Sequence, residues 1–288
     1  MGDDLIDGSY WSHESYTSNK FHLIPTLRPH FAQNSSLFSI ATIASVETKI
    51  HSTMTPRIGT SGFQYSEWKG TFYPEKLPVS KMLPFYSERF STTEINYSFR
   101  TIPSAKTVDA WSQVTPEDFK FSFKAPQRIT HFARLRNCAE ILGVFWNAIA
   151  RMEQKLGPVL FQLPPNFKRN VTLLNEFLPI LPEGMAAAFE FRDASWFEEE
   201  TFAALRKHNV ALCIAEDEKL AVPTISTADF GYLRLRREDY ENSDIMRWAD
   251  FVRAQQAHWR EAFIYFKHEE RGVGPKFAMQ MIETLKAK

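Results

Sequence analysis

Cysteine is scarce in this 288-residue chain: only Cys138 and Cys213 occur, far apart and each inside an apolar stretch, CAEILGVFW and ALCIAED. Neither has a partner at a spacing that suits a zinc site or a redox pair, so both read as buried free thiols of a protein kept in a reducing, cytoplasmic setting. Charge excess is missing too: 34 Lys and Arg are balanced by 34 Asp and Glu. No overall field draws the chain to nucleic acid or to an anionic membrane, and any charge-based function must be local. Long apolar runs are absent. None approaches the roughly 18 residues of a membrane-spanning helix. The best N-terminal candidate, residues 37–46, is short and follows Asp3, Asp4, Asp7 and Glu14, whereas secretory signals begin short and basic. No membrane partner is expected. GxGxxG, P-loop, HExxH and nucleophile-elbow patterns are missing as well, which removes the usual signatures of dinucleotide, nucleotide-phosphate, zinc-protease and hydrolase chemistry.

What is present begins at Arg57. From there, short β-branched and aromatic runs alternate with longer helical patterns, the mark of βα units around a parallel sheet. The strand candidates are residues 57–63 (RIGTSGF), 92–98 (TTEINYS), 119–125 (FKFSFKA), 158–164 (PVLFQLP), 187–193 (AAFEFRD), 211–217 (ALCIAED), 231–237 (GYLRLRR) and 262–268 (AFIYFKH). Helical stretches separate them: 80–90, one opened by Ser104 as N-cap, 137–155, 171–181, 197–208, 243–258, and one from Pro275 onward. Only the link after the sixth strand lacks a clear helix. Eight such repeats predict an α/β fold, a single (β/α)8 TIM-type barrel over residues 56–288, with no linker or composition shift to divide it. Residues 1–55 carry neither alternation nor a helical stripe, are rich in Ser, Thr, Asn and His, and read as a flexible extension before the barrel.

The segments IGTSGFQYSEWKGTFYP, FSTTEINYSF, FKFSFKAPQRITH, GPVLFQLPPNF and FEFRDASWF, in that order, resemble the YecE-like proteins, the family called domain of unknown function 72. The likeness spans essentially all of residues 56–288. It implies a TIM barrel and an intracellular protein whose biochemistry is not established. The chain departs from the commoner pattern in two places: strand seven ends LRLRRED where many members have an Arg followed by His-Gly, and strand eight ends YFKHEE where many have a pair of asparagines.

Barrel sites gather at the C-terminal strand ends, so the polar residues there are the candidates. Strand two offers Glu94 and Asn96, placed on one face by two-residue alternation, and strand three offers Lys124, with His131 in its following loop. Strand four gives Gln162. Strand five gives Glu190 and Arg192, alternating with Phe189 and Phe191. Strand six gives Glu216 and Asp217, strand seven Arg234 and Arg236, and strand eight Lys267 and His268, which point opposite ways. Glu190 and Glu94 are the candidates for general acid or base, and the basic and amide residues are the candidates for holding substrate. The alternative for Glu190 and Arg192 is an interior ion pair that fixes register. Tyr65, Trp68, Trp196 and Phe99 would wall the mouth, either to contact a ligand or simply to pack loops over the barrel end.

Gly272 and Gly274 before Pro275 suggest an anion site at a helix start, flanked by Lys267, Arg234 and Arg236 and opposed by Glu269 and Glu270. No cofactor is expected. A divalent metal would need Glu94, Glu190, Asp217, His131 and His268 to converge, and the same strand ends already carry Lys124, Arg192, Arg234, Arg236 and Lys267. The first functional reading is an enzyme acting on a small anionic metabolite, phosphorylated, carboxylated or sugar-like. The second is a non-catalytic or nucleic-acid-associated module that grips phosphate. Nothing in the sequence sets an oligomeric state. Met54 stands three residues before Arg57, so the working protein is expected to start there. N-terminal mass spectrometry of the native protein checks this, and any peptide from residues 1–53 overturns it.

Overall fold

Strands buried on both faces, one toward a barrel axis and one toward helices, must be apolar almost throughout, which is why runs such as PVLF and ALCIA carry so little alternation. In the computed structural model of the protein, which describes residues 54–216, 220–268 and 272–287, eight such strands close into one barrel in chain order. They are β1 (Thr55–Ser61), β2 (Thr92–Ile95), β3 (Lys120–Lys124), β4 (Leu156–Gln162), β5 (Ala187–Glu190), β6 (Ala211–Glu216), β7 (Phe230–Leu235) and β8 (Glu261–Phe266). Every neighbouring pair is parallel. The expected TIM-type architecture is therefore the observed one.

Among the described residues six α-helices join successive strands, α1 (Met82–Ser87), α2 (Ala105–Gln113), α3 (Ala139–Ile149), α4 (Val171–Phe177), α5 (Glu199–Lys207) and α6 (Asn242–Ala254), and α7 (Val273–Lys286) follows β8. Ser104 caps α2 as expected, its hydroxyl accepting from the Thr107 amide at 3.2 Å. Among the described residues no helix joins β6 to β7, the link where the sequence showed none. None of the helices is long and apolar enough to cross a membrane. β1 opens at Thr55, two residues ahead of its predicted start, because Thr55 and Pro56 pair with Glu261 and Ala262 of β8. The proposed extension lies outside the described residues except for Met54 and Thr55.

Apolar side chains form two bodies, as a barrel requires. The larger lies between sheet and helices and includes Phe121, Phe161, Phe189, Leu233 and Ile264. The smaller fills the barrel axis with Leu160, Ala188, Cys213, Tyr232, Phe263 and Tyr265, residues on the opposite phase of the same strands. Cys138 and Cys213 are both buried and free.

One close approach fixes how β1 meets β2. The Tyr86 hydroxyl on α1 accepts from the Thr60 amide at 2.7 Å and donates to the Thr92 carbonyl at 3.0 Å, wedging itself into the ladder between the two strands. Gly59 makes room: a Cβ there would lie 1.9 Å from the Thr92 carbonyl oxygen and 2.7 Å from the Tyr86 hydroxyl. Gly59→Ala must push β1 away from β2, so it should cost at least about 1–3 kcal/mol, the range for forced overpacking. Urea denaturation checks this, and a loss within experimental error would mean the strands yield without cost.

Candidate functional site

The strand register brings side chains from six strands to one level near the C-terminal end of the barrel. Ser61 lies level with Glu94, and Glu94 with Ser122 one step below Lys124; Gln162 is level with Glu190. Arg234 joins the two carboxylates. Its Nη1 donates to Glu190 Oε2 at 2.5 Å and its Nη2 to Glu94 Oε1 at 2.9 Å, with all three side chains essentially without solvent exposure. Glu94 also accepts from Ser61 Oγ at 2.6 Å and from the Tyr232 hydroxyl at 2.7 Å. Glu190 also accepts from Gln162 Nε2 at 2.9 Å and Arg192 Nη1 at 3.3 Å, and Arg236 stands 3.8 Å away. Burial alone raises the Glu190 carboxyl. The attraction of Arg234, then of Arg236 and Arg192, with the Gln162 hydrogen bond, outweighs burial and holds it at about 2. Below this network a second polar layer crosses the axis: Tyr265 donates to Ser122 Oγ at 2.7 Å and shares a hydrogen bond with Thr92 at 2.8 Å.

Lys124 stands at the open side of the network. Its ammonium donates to Gln162 Oε1 at 2.7 Å and lies 4.2 Å from the centre of the Phe99 ring. Burial and the positive charge of Arg234 pull its pKa down to about 8, against the opposing pull of Glu94 and Glu190. Phe99 in turn meets the His131 ring edge-on, with centroids 4.9 Å apart. Burial, then Lys124 and Arg134, lowers the His131 pKa, which favours the neutral imidazole. The loop that holds His131 begins as a π turn, Arg128–Phe132, and continues through left-handed residues Arg134, Leu135 and Asn137.

Several sequence candidates thus meet: Glu94, Lys124, Gln162, Glu190, Arg192, Arg234 and Arg236 form one connected group. Lys267 is exposed beside it and contributes to the field at Lys124. His268 points the other way, as alternation required, and is buried with Nε2 against the Arg237 carbonyl. Glu216 joins a different cluster on the outside of the sheet, with Tyr240, Arg247 and Trp248. Asp217, Glu269 and Glu270 lie outside the described residues. Among the described residues, no three His, Cys, Asp or Glu side chains converge as a cation would require.

Three placements differ from the sequence reading. Asn96 does not share a strand face with Glu94, because β2 ends at Ile95 and Asn96 starts the 3-10 turn Tyr97–Phe99. Trp68 and Trp196 are fully buried rather than set around an open mouth. Trp68 packs against Tyr65 and Tyr73, and Trp196 stacks on Phe191 while its indole donates to the Phe167 carbonyl at 2.7 Å. Arg234, expected to hold substrate, is sealed beneath the surface by the carboxylates it joins. Tyr65 is half-buried, its hydroxyl donating to the Ser61 carbonyl at 2.7 Å.

Tyr232 and Ser61 complete the network, and the sequence reading gave neither that role. Phase would have found Tyr232, since it precedes Arg234 by two residues on one strand face. Ser61 has no such signal: its partner, Glu94, lies 33 positions away.

A family model described as "Protein of unknown function DUF72" matches residues 57–288. UPF0759 protein YunF of Bacillus subtilis (strain 168) is 25% identical over 255 residues, which is 75% of this chain and 90% of that protein. UPF0759 protein YecE of Escherichia coli (strain K12) is 31% identical over 121 residues, 40% of this chain and 44% of that protein. The crystal structure of a DUF72 family protein from Thermotoga maritima MSB8 superposes with a TM-score of 0.71 and 27% identity, covering 81% of this chain and 99% of that one.

Removing Arg234 strands two carboxylates in the barrel. Arg234→Met should therefore destabilise the fold by about 3–5 kcal/mol, the cost of breaking a buried ion pair. The triple variant Glu94→Gln, Arg234→Met, Glu190→Gln should recover most of that loss. Denaturation in urea at pH 7 measures both, and a single variant as stable as wild type would show that the charges are not mutually dependent.

Proposed function

The chain belongs to the DUF72 family of proteins of unknown function, and from that premise we propose that its barrel mouth binds a small anionic metabolite and carries out proton transfer on it through Lys124. The observation that carries this reading is the setting of the Lys124 amine. It is half-buried at the strand ends, anchored by Gln162, seated on Phe99, and poised at a pKa of about 8. A proton-transfer group works best when its pKa lies near the working pH. The anion would be held by Arg192, Arg236 and Lys267, the basic side chains of this end that keep some exposure.

The acid–base role moves away from the residues the sequence suggested. Glu190 is fully buried and stays ionised down to about pH 2, so near neutrality it has no proton to give and little tendency to take one. Glu94 is equally buried, with three donors on its two oxygens. Both serve in this reading as fixed negative charges that hold Arg234 and Gln162, and through Gln162 the amine. An enzyme fits these observations better than a passive phosphate grip, because a grip would favour a lysine that stays fully charged.

The test is a thermal-shift screen of the full chain against phosphorylated sugars, small carboxylates and short single-stranded oligonucleotides, with Arg192→Ala and Lys124→Met alongside. A small anion should raise the melting temperature saturably, and Arg192→Ala should lose the shift. In the protein with 13C-methylated lysines, the Lys124 NMR signal should titrate near pH 8 while surface lysines titrate near 10.4. The neutral amine is the base, so turnover of the matched substrate should rise as pH climbs through 8 and vanish in Lys124→Met. Oligonucleotide binding that weakens steeply with salt, with no small-anion response, would favour the phosphate-gripping module instead. A Lys124 signal titrating with the surface lysines would remove the acid–base role.

A further inference from the structure

Next to the mouth lies a cleft of about 380 Å³ between the loop after β1, the end of β2 and α2, walled by Phe63, Tyr65, Ile95, Tyr97 and Trp111. Its size is within the range of small-molecule sites. Phe63 and Trp111 meet edge-on, with centroids 6.4 Å apart, and Trp111 stacks in turn on Phe121, so the wall is built of packed aromatic rings. Such surfaces favour a flat aromatic guest.

The polar groups of the cleft are side-chain amides. Asn96, half-buried, and Gln64, exposed, are among its lining residues. Asn96 opens the turn Tyr97–Phe99 in a helical backbone conformation and its side chain makes no capping bond. A side-chain amide offers a donor and an acceptor side by side, the complement of the hydrogen-bonding edge of a nitrogen heterocycle.

Two links tie the cleft to the mouth. The first is the turn itself: Tyr97 faces the cleft, and Phe99, two residues on, carries the Lys124 ammonium. With three residues per turn, the two side chains leave different sides of the turn, which therefore stands as a shared wall between cleft and mouth. The second is Ser61, whose carbonyl accepts from Tyr65 in the cleft wall while its hydroxyl donates to Glu94 in the network. Gly62 makes the first of these contacts possible, since its φ is +94° and a Cβ there would lie 2.5 Å from the Tyr65 hydroxyl.

We propose that cleft and mouth are two halves of one site, which takes the planar heterocycle and the anionic group of a single nucleotide-like small molecule. This rests on the anion reading given above and names its substrate class. Titration calorimetry on the full chain would use AMP, adenosine and ribose 5-phosphate as probes, with GMP, CMP and UMP in the same series. At least one nucleoside monophosphate should bind ten-fold or more tightly than both its nucleoside and ribose 5-phosphate. The double variant Gln64→Ala, Asn96→Ala should reduce that nucleotide to the affinity of ribose 5-phosphate and leave ribose 5-phosphate itself unchanged. Lys124→Met should weaken both. If every nucleotide binds no better than ribose 5-phosphate, or if the double variant keeps the preference, the two-part site is wrong while the anion reading stands. If no nucleotide binds at all, the two-part site also falls, and the anion reading is then decided by its own screen.

Discussion

One guanidinium held between two carboxylates inside a closed barrel orders the C-terminal ends of its strands. Each of those ions loses several kcal/mol of hydration on burial, and only dense pairing offsets the loss. Pairing of that density requires strands from around the barrel to agree. Ser61 of β1, Glu94 of β2, Lys124 of β3, Gln162 of β4, Glu190 of β5, and Tyr232 with Arg234 of β7 all take part. A shift of one residue in any of these strands would turn its member of the network toward the helices and bring an apolar neighbour inward. The network therefore acts as a register lock, and the Glu190–Arg192 contact is one of its ion pairs.

The setting of Lys124 depends on the same lock. Lys124 is bound to Gln162, which is bound to Glu190, which is bound to Arg234, so the amine reports the state of the buried charges through two intervening side chains. Arg234 depresses its pKa while the two carboxylates raise it. Burial adds the decisive downward push. On the outer side the amine is shaped by Phe99 and His131, and the loop carrying His131 stores backbone strain at Arg134, Leu135 and Asn137, with φ of 48°, 68° and 50°. Strain of this kind persists where surrounding packing imposes it, and buried Leu135 supplies that packing.

The fold was legible because periodicity is a local property. Eight apolar runs, the Ser104 cap and a link after β6 with no helix among the described residues all follow from neighbours in sequence, and all recur in the structure. The site was legible only as far as phase carries. Two-residue alternation put Arg234 on the inward face but failed at Asn96, where the chain leaves the strand one residue earlier to make a tight turn. Burial was not legible. Trp68 and Trp196 stand in loops beside the mouth, and only the folding of those loops onto Tyr73 and Phe191 decides that both indoles are covered. The same limit applies to Arg234, whose partners lie 140 and 44 positions away.

The two departures from the commoner family pattern look independent in sequence, about thirty residues apart, yet they touch. His268 at the end of β8 bonds through Nε2 to the carbonyl of Arg237 just past β7. The Arg237 guanidinium is itself held by Asp244 in the first turn of α6, at 3.0 and 2.9 Å. The two positions thus support one local conformation at adjacent strand ends, beside Arg236 and Lys267. His268 holds the Arg237 backbone while Asp244 holds its side chain, so this one residue of the rim is fixed from both sides.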